Sequence, residues 1–189
     1  GITSGPALSF GFIAGRQRDG WTNGVLAATG WLDWLAAIPL EERFELPDGT
    51  RVLCVHAAPG LDDGPFIDPY TSDEVLSKLL EGCEADLVLV GHTHWPLDRS
   101  AAGVRVVNVS SVGNPLATDL RASYALIDAD ASGYSVELCR VAYDLEAVIA
   151  AIRSSRLFPN PETLIPWYKG ERWASWQRRD IYDPRATSP

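Results

Sequence analysis

The sequence lacks or has few of several residue types, and these scarcities limit the classes of function that it can have. Its 189 residues contain no methionine, three cysteines and three histidines, and basic residues are outnumbered 16 to 25, for a net charge of −9. This acidic balance argues against a nucleic-acid groove and against a basic membrane-binding surface. No uninterrupted apolar run approaches the roughly 18 residues that a membrane span needs. Three cysteines (Cys54, Cys83 and Cys139) argue against a disulfide scaffold and suit a reducing compartment, so a cytoplasmic domain is predicted.

The missing methionine includes the first position, which is Gly1. An aminopeptidase can remove an initiator methionine, and a chain that begins inside a longer polypeptide also lacks one, so both explanations stay open. The weakly apolar stretch at residues 7–15 follows no basic region, and no signal peptide is therefore predicted.

Hydrophobic periodicity predicts three helices. The first covers residues 22–38 and is ended by Pro39. The second covers residues 71–82, where Thr71 and Glu74 fit a capping box and Gly82 fits the position after the helix end. The third lies around residues 145–152, which carry apolar side chains at helical spacing.

Strands are predicted between these helices. Alternation at residues 44–46, a Pro-Asp-Gly-Thr turn and the apolar run at 52–55 predict a hairpin. Residues 87–90 are apolar on both faces, which is typical of an interior strand. A strand at 104–109 and a hairpin at 124–127 and 134–141 complete an α/β pattern. We expect the strands that end at 55 and 90 to be interior neighbours in one sheet.

All three histidines follow predicted buried strands. His56 comes directly after residues 52–55, and Gly91-His92-Thr93-His94 comes directly after residues 87–90. Loops at the carboxyl ends of such strands are where α/β sheets bind ligands, and imidazole is a good ligand for several transition metals. If the loop is extended, alternation by two residues directs His92 and His94 to one side. Gly91 would give the backbone freedom to leave the strand.

Each histidine motif also has an ordinary explanation, because single histidines and His-x-His pairs occur often on surfaces and in satisfied cores. The joint position of both motifs at the same kind of strand end favours a metal site that contains His56, His92 and His94. A mononuclear three-histidine site of another kind remains an alternative at this point.

Residues 87–94, Leu-Val-Leu-Val-Gly-His-Thr-His, resemble the final Gly-His-x-His metal motif of the calcineurin-like metallophosphoesterases. Residues 52–56 resemble the preceding strand and single-histidine motif of that family. The resemblance continues from Asn108 to Pro115, where the small prokaryotic phosphodiesterase branch usually has Asn-Pro-Gly-Ser-Val-Gly-x-Pro, and through 121–126 to the last helix. It covers about residues 22–155.

The resemblance implies a two-sheet α/β sandwich with helices on its outer faces. It also implies a phosphoesterase, more a phosphodiesterase than a phosphatase, that uses a binuclear centre and a metal-bridging hydroxide. The resemblance implies two divalent ions, of which Mn²⁺ is the first expectation and Fe, Zn or Ni are alternatives. By the same resemblance, His56 and His92 belong to one metal and His94 to the other.

The chain departs from the family pattern in two loops and in one larger respect. Ala57 stands where the family commonly has Gly, and Val109-Ser110-Ser111 stands at the Pro-Gly-Ser step. The upstream Asp-x-His, Gly-Asp and Gly-Asn-His motifs are not found, and three neutral imidazoles cannot hold two dications. We therefore expect that an upstream half of the domain completes the site and that this chain carries no complete set of catalytic residues. The nearby carboxylates do not have the family's ligand spacing; they are Asp62, Asp63, Asp68 and Asp98.

The expected organisation is the C-terminal portion of a metallophosphoesterase domain at residues 1–158 and an aromatic, proline-containing extension at 159–189. The extension could be an interaction surface, or it could fold back over the domain and bury its own rings. The expected partner is a small phosphoester substrate, with homo-oligomerisation left open. The competing function is a non-catalytic binding module that keeps this fold without its metals.

Overall fold

A computed structural model of the chain describes residues 20–63, 67–114, 119–155 and 160–171. The chain divides into two compact units, Gly1–Pro39 and Leu40–Pro189. The first unit contains helix α1, which is described from residue 20 to residue 28, and helix α2, Leu32–Ala37. The prediction of one continuous helix over residues 22–38 is therefore wrong.

Gly30 ends α1. Its φ is +77°, and its N–H donates to the Ala27 carbonyl at 3.3 Å while the next N–H, of Trp31, donates to the Leu26 carbonyl at 2.9 Å. These two bonds form a Schellman motif, for which glycine is the preferred residue because it adopts a left-handed conformation without strain. The apolar periodicity continues past Gly30, and that continuity concealed the break.

The second unit is built on a five-stranded mixed sheet. Its strands in chain order are β1 Glu41–Glu45, β2 Arg51–Val55, β3 Leu87–Val90, β4 Pro96–Ala101 and β5 Val104–Val109. Their order across the sheet is β1-β2-β3-β5-β4. Strands β2, β3 and β5 are parallel to one another, and β1 and β4 are antiparallel edges. The prediction that β2 and β3 are interior neighbours is confirmed.

The edge strand β4 was not predicted from the sequence. It begins at Pro96, and charged residues at Asp98 and Arg99 interrupt its apolar pattern. Proline and charge are typical of edge strands, which need fewer ladder hydrogen bonds and gain from side chains that repel other strands. The Ala102-Gly103 turn that joins β4 to β5 was the available signal for this hairpin.

The two faces of the sheet are covered by different elements. On one face, Leu53, Val88 and Val106 of the interior strands pack with Leu76 and Leu80, which lie in or directly after helix α3, Asp73–Leu79. On the other face, Val52, Leu87 and Val107 pack against the hairpin of β6, Ala122–Asp130, and β7, Gly133–Val141. Burial on both faces explains why the interior strands are continuously apolar.

Helix α3 begins one residue later than its predicted cap. The Ser72 hydroxyl accepts a hydrogen bond from the Val75 N–H at 3.3 Å, so Ser72 is the N-cap. Thr71 instead bonds to the Asp68 carboxylate in the preceding loop. The cap predicted at Thr71 is therefore wrong by one position, and the helix itself is confirmed.

The last helices pack on each other. Helix α4, Leu145–Ser154, buries Ile149 and Ile152 against Ile165 of the short helix α5, Ile165–Tyr168. A 3₁₀ turn, Pro161–Thr163, precedes α5. Within residues 160–171 the chain thus folds back on α4, whereas Trp173 and Trp176 lie outside the described residues. None of the helices in the described ranges has the length and hydrophobicity required to cross a bilayer.

Candidate metal site

The site lies at the carboxyl ends of β2, β3 and β5. His56 directly follows the last residue of β2, and His92 and His94 follow β3 after Gly91. The Gly91 N–H donates to the His56 carbonyl at 2.9 Å, which continues the pairing of β2 and β3 beyond the strands. Because the strands are parallel and in register, their following loops are adjacent at one edge of the sheet.

His56 and His92 are in direct contact. The distance from His56 Nε2 to His92 Nδ1 is 3.2 Å, and the rings meet edge to face with centroids 5.0 Å apart and planes at 77°. His56 is exposed, and the His92 side chain is 19% exposed. The two nitrogens are within hydrogen-bond distance of each other, at the edge of a loop that is open to solvent on the His56 side.

His94 makes a different contact. Its Nδ1 lies 2.8 Å from the backbone carbonyl of Asn114, and because a carbonyl only accepts, Nδ1 must carry the proton. In the neutral ring the lone pair is then on Nε2, the nitrogen available as a ligand. A backbone carbonyl on the second ring nitrogen is a common way to orient a metal-binding histidine.

Both histidines of the His-x-His motif have left-handed backbones. The φ angle is +59° at His92 and +61° at His94, so the extended loop predicted here is wrong. Gly91 has no positive φ, and the conformational freedom expected of glycine is instead needed at the histidines themselves. Non-glycine residues in this region of φ and ψ are strained and are frequent at functional sites.

A buried amide lies beneath this loop. Asn108 is fully buried in β5, and its Nδ2 group is within hydrogen-bond distance of the Gly91 carbonyl (2.7 Å), the Thr93 hydroxyl (2.9 Å) and the Ile67 carbonyl (3.2 Å). The Asn108 side-chain oxygen accepts from the Ser110 N–H at 2.9 Å. Asn108 matches the first residue of a family motif in sequence, but no role was predicted for it, although one polar residue in the run Val106–Val109 signals a buried group that needs partners.

Ser110 explains one departure from the family pattern. Its φ is +67°, and it stands where the pattern described above has Gly. Its hydroxyl donates to the His94 carbonyl at 3.0 Å, a bond that glycine could not make. At the other departure, Ala57 is buried and is not among the positive-φ residues, so alanine causes no backbone strain there.

The nearby carboxylates differ in their surroundings. Asp63 Oδ1 is 3.6 Å from His92 Nε2, although the Asp63 side chain is 90% exposed. Asp68 accepts hydrogen bonds within its own turn, and Asp98 is paired with Arg105, whose hydrogen bonds lower the pKa of Asp98. The Asp62-Asp63 turn is exposed, and Asp63 also lies beside His92.

The loop that carries His56 and Asp63 is held to the edge strand. The Glu41 carboxylate accepts from the Gly60 N–H at 2.6 Å, and this hydrogen bond lowers the pKa of Glu41. Within the loop, Ala58 and Leu61 exchange backbone hydrogen bonds at 3.1 and 2.8 Å. The loop therefore has its own fixed geometry next to His92.

The facing nitrogens fit two ligands of one metal ion. With metal–nitrogen bonds of about 2.0–2.1 Å and angles between square and tetrahedral, two such nitrogens are about 2.9–3.4 Å apart, which includes the 3.2 Å observed. No group of three or more His, Cys, Asp or Glu side chains positioned for a metal occurs among the described residues. The structure brings His56 and His92 together, and the convergence of His94 with them stays a prediction.

Comparison with known proteins gives one family. Residues 17–132 match the calcineurin-like phosphoesterase superfamily domain. A metallophosphoesterase from Sphaerobacter thermophilus is similar in structure, with a TM-score of 0.61, 23% identity and coverage of 76% of this chain. A hypothetical protein from Pyrococcus horikoshii OT3 has a TM-score of 0.60 and 22% identity over 72% of this chain.

Both structural matches establish the fold alone at this level of identity. The chain spans 63% of the Sphaerobacter protein and 53% of the Pyrococcus protein. The comparison with curated proteins gives no match.

Proposed function

The chain belongs to the calcineurin-like phosphoesterase superfamily, and we propose that it carries the histidine ligands of a metal-dependent phosphoesterase. The proposed substrate is a small phosphodiester in preference to a monoester. That preference rests on the resemblance of residues 87–94 and 108–115 to the phosphodiesterase branch of the family.

The observation that supports the proposal most strongly is the 3.2 Å separation of His56 Nε2 and His92 Nδ1 at the carboxyl edge of the sheet. His56 Nε2 and His92 Nδ1 are within hydrogen-bond distance of each other, so an ion that replaced the proton between them would be bound by both rings. The spacing suits a shared cation.

The role that we propose for each residue follows from its contacts. His56 and His92 would hold one ion through the facing nitrogens, and His94 would bind a second through Nε2, because Nδ1 is engaged by the Asn114 carbonyl. Asp63 near His92 Nε2 would favour the ring orientation in which Nδ1 faces the ion. When bound, two divalent ions such as Mn²⁺ would supply polarisation of the phosphoryl oxygens and a lowered pKa for an attacking water.

Charge balance requires more ligands than these histidines. Three neutral imidazoles offset none of the charge of two dications, so we propose that carboxylates beyond the described histidine cluster complete the centre. We also propose that the five-stranded sheet and the β6–β7 hairpin belong to a two-sheet sandwich with α3 and α4 outside. The packing of the hairpin on one face of the sheet supports this arrangement.

The test is hydrolysis of an aryl phosphodiester and the matching monoester by the intact protein with added Mn²⁺. We expect Mn²⁺-dependent activity that is faster on the diester, is abolished by chelator, and falls at least about 100-fold in His92→Ala. Asp62→Asn is the control, since Asp62 lies in the same exposed loop as Asp63 and has no assigned role.

Each outcome decides between two functions. Activity that persists with chelator or in His92→Ala contradicts the proposed metal chemistry. Metal binding without hydrolysis of either substrate would instead favour a binding module that keeps this fold.

A further inference from the structure

We propose that Asn108 and Ser110, at the end of β5, are positioning residues that hold the His-x-His backbone in its strained conformation. This inference rests on the proposed function only for its metal-binding readout. The structural basis is a set of hydrogen bonds that runs from these two residues to Gly91, Thr93 and His94.

The first step is placement. Asn108 is the register partner of Val90, so its side chain lies directly beside the point where the chain leaves β3. From there its amide reaches the Gly91 carbonyl before His92 and the Thr93 hydroxyl between the two histidines. The Thr93 hydroxyl in turn donates to the Ile67 carbonyl at 3.2 Å.

The second step is strain. Left-handed φ angles at His92, His94 and Ser110 cost free energy that each residue would regain by relaxing to an ordinary conformation. Such conformations persist only where surrounding interactions determine them. Here the determining interactions are neutral and buried or partly buried, and Asn108 is fully enclosed, so loss of its partners would leave buried polar groups unsatisfied.

The third step is the His94 end of the loop. The Ser110 N–H is held by the Asn108 side-chain oxygen, and the Ser110 hydroxyl holds the His94 carbonyl. Ser110 thus transmits the fixed position of Asn108 to the backbone of His94. Replacing the hydroxyl should free the His94 backbone without removing any ring nitrogen.

The experiment compares Ser110→Ala, Ser110→Gly and Asn108→Leu in the full protein. Zn²⁺ affinity is measured by calorimetry with the metal alone, and the histidine rings are observed by long-range ¹⁵N NMR without metal. The chain has three histidines, so three ring spin systems are expected. Ser72→Ala is the control, since it removes an N-cap from α3 and lowers stability away from the loop.

We expect the wild-type His94 ring to be in the Nδ1–H tautomer. Ser110→Ala and Ser110→Gly should both shift the His94 ring signals, leave those of His56 in place, and weaken Zn²⁺ binding about tenfold. Ser110→Gly should melt higher than Ser110→Ala because glycine relieves the positive φ. Asn108→Leu should perturb both His92 and His94.

The proposal is wrong if the serine variants keep wild-type His94 signals, or if Ser72→Ala weakens Zn²⁺ binding as much as they do. If Asn108→Leu does not fold, Ser110→Ala and Ser110→Gly alone test the proposal. If the wild-type protein binds no Zn²⁺, the proposed function is contradicted. The NMR spectra of the histidine rings would then still test whether Asn108 and Ser110 position the loop.

Discussion

The two ends of the parallel strands are held together by different kinds of interaction. At the amino end, Arg51 and Asp86 form a bidentate ion pair with nitrogen–oxygen distances of 2.9 and 2.8 Å, and both side chains are about half exposed. At the carboxyl end, the fully buried amide of Asn108 bonds to neutral groups of two loops.

The backbone differs less sharply between the two ends. Within the described residues, the loops at the carboxyl ends contain three non-glycine residues with positive φ, namely His92, His94 and Ser110. At the amino end, Glu84 before β3 and Ala102 before β5 also have positive φ, but Arg51, Asp86 and Arg105 continue an ordinary ladder of backbone hydrogen bonds at 2.9 Å. An ion pair at an exposed strand start adds little to the free energy of unfolding, so its residues can be substituted at low cost in stability. Strained loops, in contrast, need buried hydrogen-bond partners to keep their conformation. The side-chain contrast indicates that buried polar contacts are concentrated at the carboxyl end.

The largest expected effect is at the carboxyl end. Asn108→Leu preserves the shape of the side chain but leaves the Gly91 carbonyl and the Ser110 N–H without their present partners. We expect a loss of about 3 kcal/mol in the free energy of unfolding, measured by urea denaturation. Since the lost bonds join neutral groups, the loss should be the same in 1 M NaCl. A change below about 1 kcal/mol would mean that the network is not what holds these loops.

A smaller effect is expected beside the histidine pair. Asp63→Asn removes the negative charge near His92 Nε2 and should weaken Zn²⁺ binding about five- to tenfold in calorimetry. Asp62→Asn is the matched control, because it makes the same change in the adjacent residue and should leave the affinity unchanged. Equal effects of both variants would point to the general charge of the loop and not to a specific contact.

The smallest effect is expected at the amino end. Hydrogen bonds from Arg51 hold the pKa of Asp86 well below its usual range. Because the pKa is lower in the folded state, the stabilisation is present above the unfolded value of about 3.9 and is lost as the pH falls below it. Asp86→Asn should therefore lower Tm by about 2 °C at pH 7, and the difference should shrink below about pH 4 and in 1 M NaCl. A difference that grows on acidification would contradict this assignment.

Much of the second unit was predictable because its interior strands are apolar on both faces. The runs 52–55 and 87–90 indicated neighbouring interior strands, and the position of His56 and His92 after them indicated a shared edge. That inference needs only the geometry of parallel strands. The contact of the two rings at 3.2 Å is the detailed consequence.

Other features depend on local energies that a hydrophobic pattern does not report. Gly30 ends α1 through a backbone motif although the apolar spacing continues, and β4 is an edge strand with charges on it. The left-handed backbones of His92 and His94 follow from tertiary hydrogen bonds to Asn108 and Ser110, which are distant in sequence. Such bonds are visible only after the strands are paired.

The most direct test of the central claim is anomalous diffraction from crystals of the protein grown with Zn²⁺ or Mn²⁺. We predict a peak within about 2.0–2.2 Å of both His56 Nε2 and His92 Nδ1, and a second peak at His94 Nε2 when the centre is complete. An ordered ion bound elsewhere, for example at Cys54 or Cys139, with His56 and His92 still in contact through their ring nitrogens, would contradict the assignment of a metal to this edge of the sheet.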